Sequence, residues 1–248
     1  MPEGHVLHRA AIMHGELLAG RPVAVTSPQG KFADAGRLDG SVCEGVTAYG
    51  KHLFYAFGST HVHVHLGLRG FFAQHAAPAP EPPGWVRMRL AVPNGAVDLF
   101  APMRCEVYDD AAVARVLATL GPDPLASDDE DAAVDRLRRY RGAVGAALLD
   151  QGVWAGLGNA FRSELLYLAR VLPTRPCAEL TDAEARGLWR AARDQMLVGS
   201  QLGVIATVDG VTDAKWVYKQ EACRRCGTAV QTATIAARLV HWCPAEQC

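Results

Sequence analysis

Leu120-Gly121-Pro122-Asp123-Pro124-Leu125-Ala126-Ser127-Asp128-Asp129-Glu130-Asp131 divides the chain into two grammars. Two prolines in three residues stop a strand or helix that reaches them, and the acidic run that follows suits the positive end of a new helix. Before this stretch, short β-rich runs of period 2 dominate; after it, apolar residues recur with a period near 3.6. The fold class is therefore α+β, with β structure first and helices second.

Working back from the boundary, residues 51–57, 61–66, 86–92 and 96–100 read as strands, set off by Gly50, Gly58, Gly70 and the hairpin signal Pro93-Asn94-Gly95. The whole span from Arg21 to about Val116 is strand-like, and an antiparallel sandwich or barrel is the natural inference. Residues 76–84 carry Pro78, Pro80, Pro82 and Pro83 and read as a surface loop. His61, His63 and His65 fall on one face of a strand. With no carboxylate or Cys nearby in sequence to complete a metal shell, they read as a polar face lining a groove. Lys51, opening a strand after Gly50, would ordinarily be a solvated edge lysine.

Working forward, residues 132–140, 145–151, 160–170 and 181–202 read as helices, and Thr181 with Glu184 forms a capping-box pattern. Gln151-Gly152-Val153-Trp154-Ala155-Gly156-Leu157-Gly158-Asn159 is a glycine-containing turn ending on an N-cap residue. Such a turn either makes a plain helix-helix corner or leaves backbone N–H groups open to a phosphate. Arg136, Arg138, Arg139 and Arg141 read as a solvated face. At the end of the chain, Cys223-x2-Cys226, sixteen residues, then Cys243 and Cys248 offer four thiolates in two pairs, the arrangement of a structural Zn²⁺ site. A ribbon of this size has little core of its own and needs the metal. Its irregularity is the four-residue gap before Cys248: either Cys248 reaches the metal from a wider loop, or His241 substitutes, or binding is weakened. Arg224, Arg225 and Arg238 make the ribbon basic.

The N-terminus holds the chemistry. Val6, Ala10, Met13 and Leu17 form the stripe of an amphipathic helix, which places Pro2 and Glu3 at its first turn. Removal of Met1 would leave a secondary amine as the chain terminus. An ordinary α-amino group is roughly 10–20% free base at pH 7, against about 0.04% for a lysine. Helix-start polarity further disfavours the ammonium form and welcomes the Glu3 carboxylate, by ~0.3–1 kcal/mol each. The bland alternative is a proline that merely permits Met removal beside a helix-start carboxylate.

The 248 residues, 50% apolar and 21% charged, suffice for one large or two moderate domains. No signal-peptide run and no membrane-length apolar stretch is present, so a soluble protein is expected. Of the seven cysteines, Cys43, Cys105 and Cys177 stand apart, a pattern that suits a reducing cytosol with one metal site. A net charge of −1 excludes indiscriminate attraction to nucleic acid and requires local basic clusters for any DNA contact.

Together these pieces resemble the endonuclease VIII and formamidopyrimidine-DNA glycosylase superfamily over nearly the whole chain. Six ordered matches carry the resemblance: Met1-Pro2-Glu3-Gly4-His5; Gly50-Lys51-His52-Leu53; His65-Leu66-Gly67-Leu68-Arg69-Gly70; Leu120-Gly121-Pro122-Asp123-Pro124-Leu125; Leu149-Asp150-Gln151 through Gly156-Leu157-Gly158-Asn159; and the cysteine ribbon with Arg238 and Trp242-Cys243-Pro244. The resemblance implies a β-sandwich domain with an N-terminal helix at 1–119, a helix-two-turn-helix domain at 128–222 and a zinc ribbon at 223–248. It implies a monomeric, cytoplasmic DNA glycosylase and AP lyase that grips damaged double-stranded DNA between its domains and flips the target nucleotide out.

In that mechanism Pro2 attacks C1′ and forms an iminium with the sugar, Glu3 carries protons, and Lys51 contacts phosphate and assists base loss. Asn159 and Arg238 clamp the phosphates around the flipped nucleotide, Leu68 with Arg69 sits at the vacated stack, and Cys223, Cys226, Cys243 and Cys248 hold zinc. Gly158-Asn159-Ala160-Phe161-Arg162-Ser163-Glu164 and the eight residues between Thr207 and Trp216 look more like the endonuclease VIII branch, which implies oxidised pyrimidines and abasic sites as substrates. The alternatives are an oxidised-purine glycosylase and a non-catalytic lesion-binding protein of the same fold.

Overall fold

The computed structural model describes residues 2–248, which form two units: Pro2 with Leu7–Ala118, and Glu3–Val6 with Thr119–Cys248. The helix α1 (Gly4–Leu18) thus begins in the second unit and continues in the first.

The first unit contains β1 (Arg21–Pro22), β2 (Ala24–Thr26), α2 (Ala35–Leu38), β3 (Val42–Cys43), β4 (Gly45–Tyr49), β5 (His52–Phe57), β6 (Thr60–His65), β7 (Phe71–Ala76), β8 (Val86–Val92), β9 (Gly95–Phe100), β10 (Arg104–Asp109) and α3 (Asp110–Ala118). Two four-stranded antiparallel sheets, ordered β10-β6-β5-β4 and β2-β8-β9-β7, bury alternate residues between them. Leu53, Tyr55, Val62 and Val64 of one sheet and Val25, Met88, Leu90, Val97 and Leu99 of the other are buried. The hairpins are two-residue turns. Pro93-Asn94 joins β8 to β9, so Gly95 already belongs to a strand. Gly50-Lys51 joins β4 to β5, with Gly50 at φ 58°, the left-handed conformation that a glycine adopts without a Cβ clash. Lys51 therefore lies in the turn rather than in the strand.

Two readings change. The stretch Asp110–Ala118, taken as the end of the strand region, is a helix with no buried residue; its apolar residues Val113, Val116 and Leu117 recur at helical spacing, a signal too short to separate from the strand text before it. The histidine face of β6 is packed rather than open: His63 is buried, stacks on Phe54 at 4.9 Å, meets the Tyr108 ring at 4.7 Å, and its Nε2 lies 2.8 Å from His52 Nδ1. Pairing with β5 and β10 covers this face with aromatic rings.

Burial also depresses His14, His52 and His63. His14, buried on α1 with its Nδ1 2.7 Å from the Tyr55 hydroxyl, is lowered to about 4. His52 is lowered to about 4 and His63 to about 3, by burial first and then by positive neighbours that include His65 and Arg104. Between pH 6.5 and 4 the unfolded chain binds protons that native His14 refuses, so stability is present above pH 6.5 and is lost as pH falls through this window. His14 alone contributes on the order of 3 kcal/mol. We expect Tm to fall between pH 7.5 and pH 4.5, and His14→Phe to flatten that slope. An unchanged slope in the variant would refute the assignment.

The second unit contains α4 (Glu130–Arg139), α5 (Val144–Ala147), α6 (Asn159–Leu168), α7 (Asp182–Leu202), β11 (Gln231–Ile235) and β12 (Arg238–Trp242), with a 3-10 turn at Cys177–Glu179. Its core gathers Val134, Leu137, Trp154, Phe161, Leu165, Leu188, Trp189 and Met196, with Trp154 edge-on to Trp189 at 5.1 Å. The capping box forms as its residues predict: Thr181 accepts from Glu184 N–H, and the Glu184 carboxylate accepts from Thr181 N–H. The helix read at 145–151 is a single turn, α5, because Asp150 and Gln151 bond the following loop instead. No helix among the described residues is long and apolar enough to cross a membrane.

β11 and β12 close through Ala236-Ala237 at φ 51° and 58°. A two-residue turn of this hand suits Asn-Gly, and left-handed alanine costs ~1–2 kcal/mol per residue. Ala236→Asn with Ala237→Gly should therefore stabilise the hairpin by about 1–2 kcal/mol, read as slower amide exchange in residues 231–242. Faster exchange would show that the alanines carry no strain.

Candidate active site and metal centre

Glu3, directly before α1, is 1% exposed. It crosses to the start of α6, where Oε2 accepts from Gly158 N–H at 2.8 Å and Phe161 N–H at 3.4 Å, and Oε1 from Ala160 N–H at 2.9 Å. Three N–H groups at the end of the glycine-containing turn, which was read as either a plain helix-helix corner or a holder of phosphate, are thus taken by Glu3. Gly156 O also accepts from Gly4 N–H at 2.8 Å. A Cβ on Gly158 would fall 2.4 Å from the Glu3 carboxylate carbon, so only glycine permits the approach. Pro2, half-buried, is held next to a carboxylate fixed by a helix start. Met1 lies outside the described residues.

Asn159 is the first residue of α6; its Nδ2 donates to Leu239 O at 2.8 Å and its Oδ1 accepts from Arg162. Arg162, fully buried, also donates to Gly145 O, Ile235 O and Arg238 O at 3.0–3.1 Å. Burial lowers its guanidinium to about 10. One arginine thereby ties α6 to both sides of the β11–β12 turn, and Arg238, exposed at the start of β12, is positioned through its backbone. Sequence reasoning gave Arg162 no role; the signal was an arginine three residues after Asn159 on a helix that is otherwise buried.

Glu164 was missed in the same way. Its carboxylate accepts from the N–H groups of Trp216 at 2.7 Å, Val217 at 2.9 Å and Tyr218 at 2.7 Å, and from the Thr207 hydroxyl. It thus holds both ends of the segment singled out for its shortness.

In the first unit, Lys51 places its charge close enough to His52 and His65 to help lower both, as does Arg104. Leu68 and Arg69 lie in an exposed turn, Leu68 at 57% exposure. Met103, 70% exposed, covers Gly67, where a Cβ would come within 2.8 Å of Met103 Cβ.

The sulfurs of Cys223, Cys226 and Cys243 lie within 4.8 Å of one another, the one such group of possible metal ligands among the described residues. Three convergent thiols suit zinc, which would supply folding energy to a ribbon whose buried cluster is little more than Tyr167, Val217, Cys223 and Cys243. Cys248, expected as the fourth ligand, is not brought into the group. It is exposed, with its N–H on Arg170 O and its carbonyl accepting from Leu172 N–H. His241 is not in the group either; its ring packs edge-on against Tyr218. Cys43, Cys105 and Cys177 are buried thiols that burial pushes up to about 11, 12 and 11, which leaves them inert.

Known proteins show the same construction. The formamidopyrimidine-DNA glycosylase N-terminal domain matches residues 1–105, and the formamidopyrimidine-DNA glycosylase H2TH domain matches 120–209. Endonuclease 8 1 of Mycobacterium tuberculosis is 43% identical over 267 residues, covering 100% of both chains. The chain belongs to the formamidopyrimidine-DNA glycosylase and endonuclease VIII family, in its endonuclease VIII-like branch. Within this family, the DNA-(apurinic or apyrimidinic site) lyase Nei2 of Mycolicibacterium smegmatis is 34% identical, covering 100% of this chain and 99% of that one. A Lactococcus lactis formamidopyrimidine-DNA glycosylase bound to DNA containing an abasic site has the same fold, with a TM-score of 0.81 at 22% identity over 99% of each chain.

Proposed function

We propose that the protein is a bifunctional DNA glycosylase and AP lyase of base-excision repair that removes oxidised pyrimidines and cleaves abasic sites. The observation that carries this reading is the clamping of Glu3, directly after Pro2, by three N–H groups at the start of α6. With Met1 removed, the free Pro2 nitrogen attacks C1′ of a flipped deoxynucleotide and the damaged base departs with a proton. The nitrogen lone pair then forms an iminium with C1′ as the C1′–O4′ bond breaks and O4′ takes a proton from Glu3, and the positive charge of the iminium draws electrons from C2′. Loss of a C2′ proton expels the 3′-phosphate, and a second elimination expels the 5′-phosphate. Glu3 is the acceptor and donor of these protons at the sugar.

Lys51 contacts the DNA backbone from the β4–β5 turn, while Asn159 and Arg238 grip the phosphates flanking the flipped nucleotide. Leu68, already exposed, enters the vacated stack beside Arg69. Zinc held at the cysteine trio keeps the β11–β12 hairpin folded and takes no part in the reaction. The protein works on duplex DNA as a monomer.

The branch assignment favours pyrimidines, and a direct comparison tests it: duplexes carrying thymine glycol or 8-oxoguanine, incubated with enzyme under single-turnover conditions. Cleavage of thymine glycol at least about tenfold faster is expected. The reverse order would place the protein with the purine enzymes, and no cleavage of either or of an abasic site would make it a lesion-binding protein.

A further inference from the structure

We infer that the fourth ligand of the ribbon metal is the Glu246 carboxylate and not the Cys248 thiolate. The inference rests on the zinc reading above and concerns how this chain completes the site.

The two ligand-bearing turns have the same backbone. In the first, Cys223-Arg224-Arg225-Cys226-Gly227, the Cys223 carbonyl accepts from Gly227 N–H at 2.9 Å. In the second, Cys243-Pro244-Ala245-Glu246-Gln247, the Cys243 carbonyl accepts from Gln247 N–H at 3.1 Å. Each turn closes from its fifth residue to its first, so the fourth residue occupies the same place in both. That residue is Cys226 in one turn and Glu246 in the other. The N–H groups of Ala245 and Glu246 also reach the Cys243 sulfur, so the second turn wraps a ligand atom.

Cys248 lies beyond a pin. Gln247 is 4% exposed; its Oε1 accepts from Cys243 N–H at 2.9 Å and its Nε2 donates to Val171 O at 2.8 Å. The Cys248 backbone pairs with Arg170 and Leu172. These backbone bonds hold Cys248 outside the trio, whereas Glu246, whose carboxylate also lies outside the trio as the structure stands, sits at the turn position that carries Cys226 in the first turn. Its carboxylate is turned toward Arg170 at 3.8 Å and Arg225 at 3.6 Å, two long ion pairs. Arg225 is already engaged over the rings of Trp216 at 5.0 Å and Tyr167 at 5.5 Å. Zinc accepts carboxylate oxygen as well as thiolate, at about 2.0–2.2 Å against about 2.3 Å for sulfur. Three thiolates and a carboxylate leave the site with net negative charge, which Arg170 and Arg225 then offset.

X-ray absorption of the purified wild-type protein, with zinc release to a chelator from variants, tests this. A first shell of three sulfurs and one short oxygen is expected. Cys248→Ala should hold zinc as wild type does, Glu246→Ala should release it at least about tenfold faster, and Glu246→Cys more slowly than wild type. A shell of four sulfurs, with rapid release from Cys248→Ala, would overturn the assignment. So would release unchanged by Glu246→Ala, which would make the oxygen a water. Metal-free wild-type protein would overturn the zinc reading itself, and this inference with it.

Discussion

Borohydride added during turnover on abasic DNA should trap a covalent adduct with the native protein, and trapping should fall below about 1% when any residue precedes Pro2. The reason lies in the nitrogen. As a chain terminus it is an amine with an available lone pair; behind another residue it becomes a tertiary amide whose lone pair is shared with the carbonyl, and it no longer attacks carbon. Pro2→Gly keeps a terminal amine and should retain part of the adduct, whereas an N-terminal tag removes it entirely. Lysines cannot compensate, because only about 0.04% of an ordinary lysine is free base at pH 7. Intact-mass measurement of the active protein supplies the second readout, since the species that traps DNA must lack Met1. Equal trapping by tagged and untagged protein would remove Pro2 from the mechanism.

Gly158→Ala should cost the protein both stability and rate. Gly158 has φ −125°, a conformation open to alanine, so the backbone gives no reason for strain. The added carbon would instead meet the Glu3 carboxylate at 2.4–2.7 Å, far inside contact distance. The carboxylate must then leave the three N–H groups that hold it. Losing charge-assisted hydrogen bonds and leaving buried donors unpaired costs about 2–4 kcal/mol of stability, while misplacing the proton carrier costs about 10²–10⁴-fold in single-turnover rate. Glu3→Gln keeps the shape but turns an NH₂ toward one set of donors, so it should lose rate with less loss of Tm. Wild-type rates in Gly158→Ala would show that the contact is structural only.

Particular residues show what could be read in advance. Thr181 and Glu184 announced a capping box and Pro93-Asn94-Gly95 a hairpin, because both depend on bonds within a few residues. The Asp110–Ala118 helix escaped notice because it is short and buries nothing, so its few apolar residues did not stand out from the strand text before it. Arg162 and Glu164 looked like ordinary residues of an amphipathic helix. Their importance comes from carbonyls at Ile235 and Arg238 and N–H groups at residues 216–218, more than fifty positions away.

Local order therefore belonged to the chain as written: the two grammars on either side of Leu120, the nucleophile at its start and the cysteines at its end. Backbone geometry and side-chain periodicity are short-range, so these are legible from neighbours alone. Tertiary packing decided the rest. It sent Glu3 to a helix start 155 residues away, where its carboxylate takes N–H groups of the glycine-containing turn. It also gathered three cysteines while leaving the fourth outside. Those outcomes depend on which distant groups can reach one another without leaving a buried donor or charge unmet, and no local pattern records that.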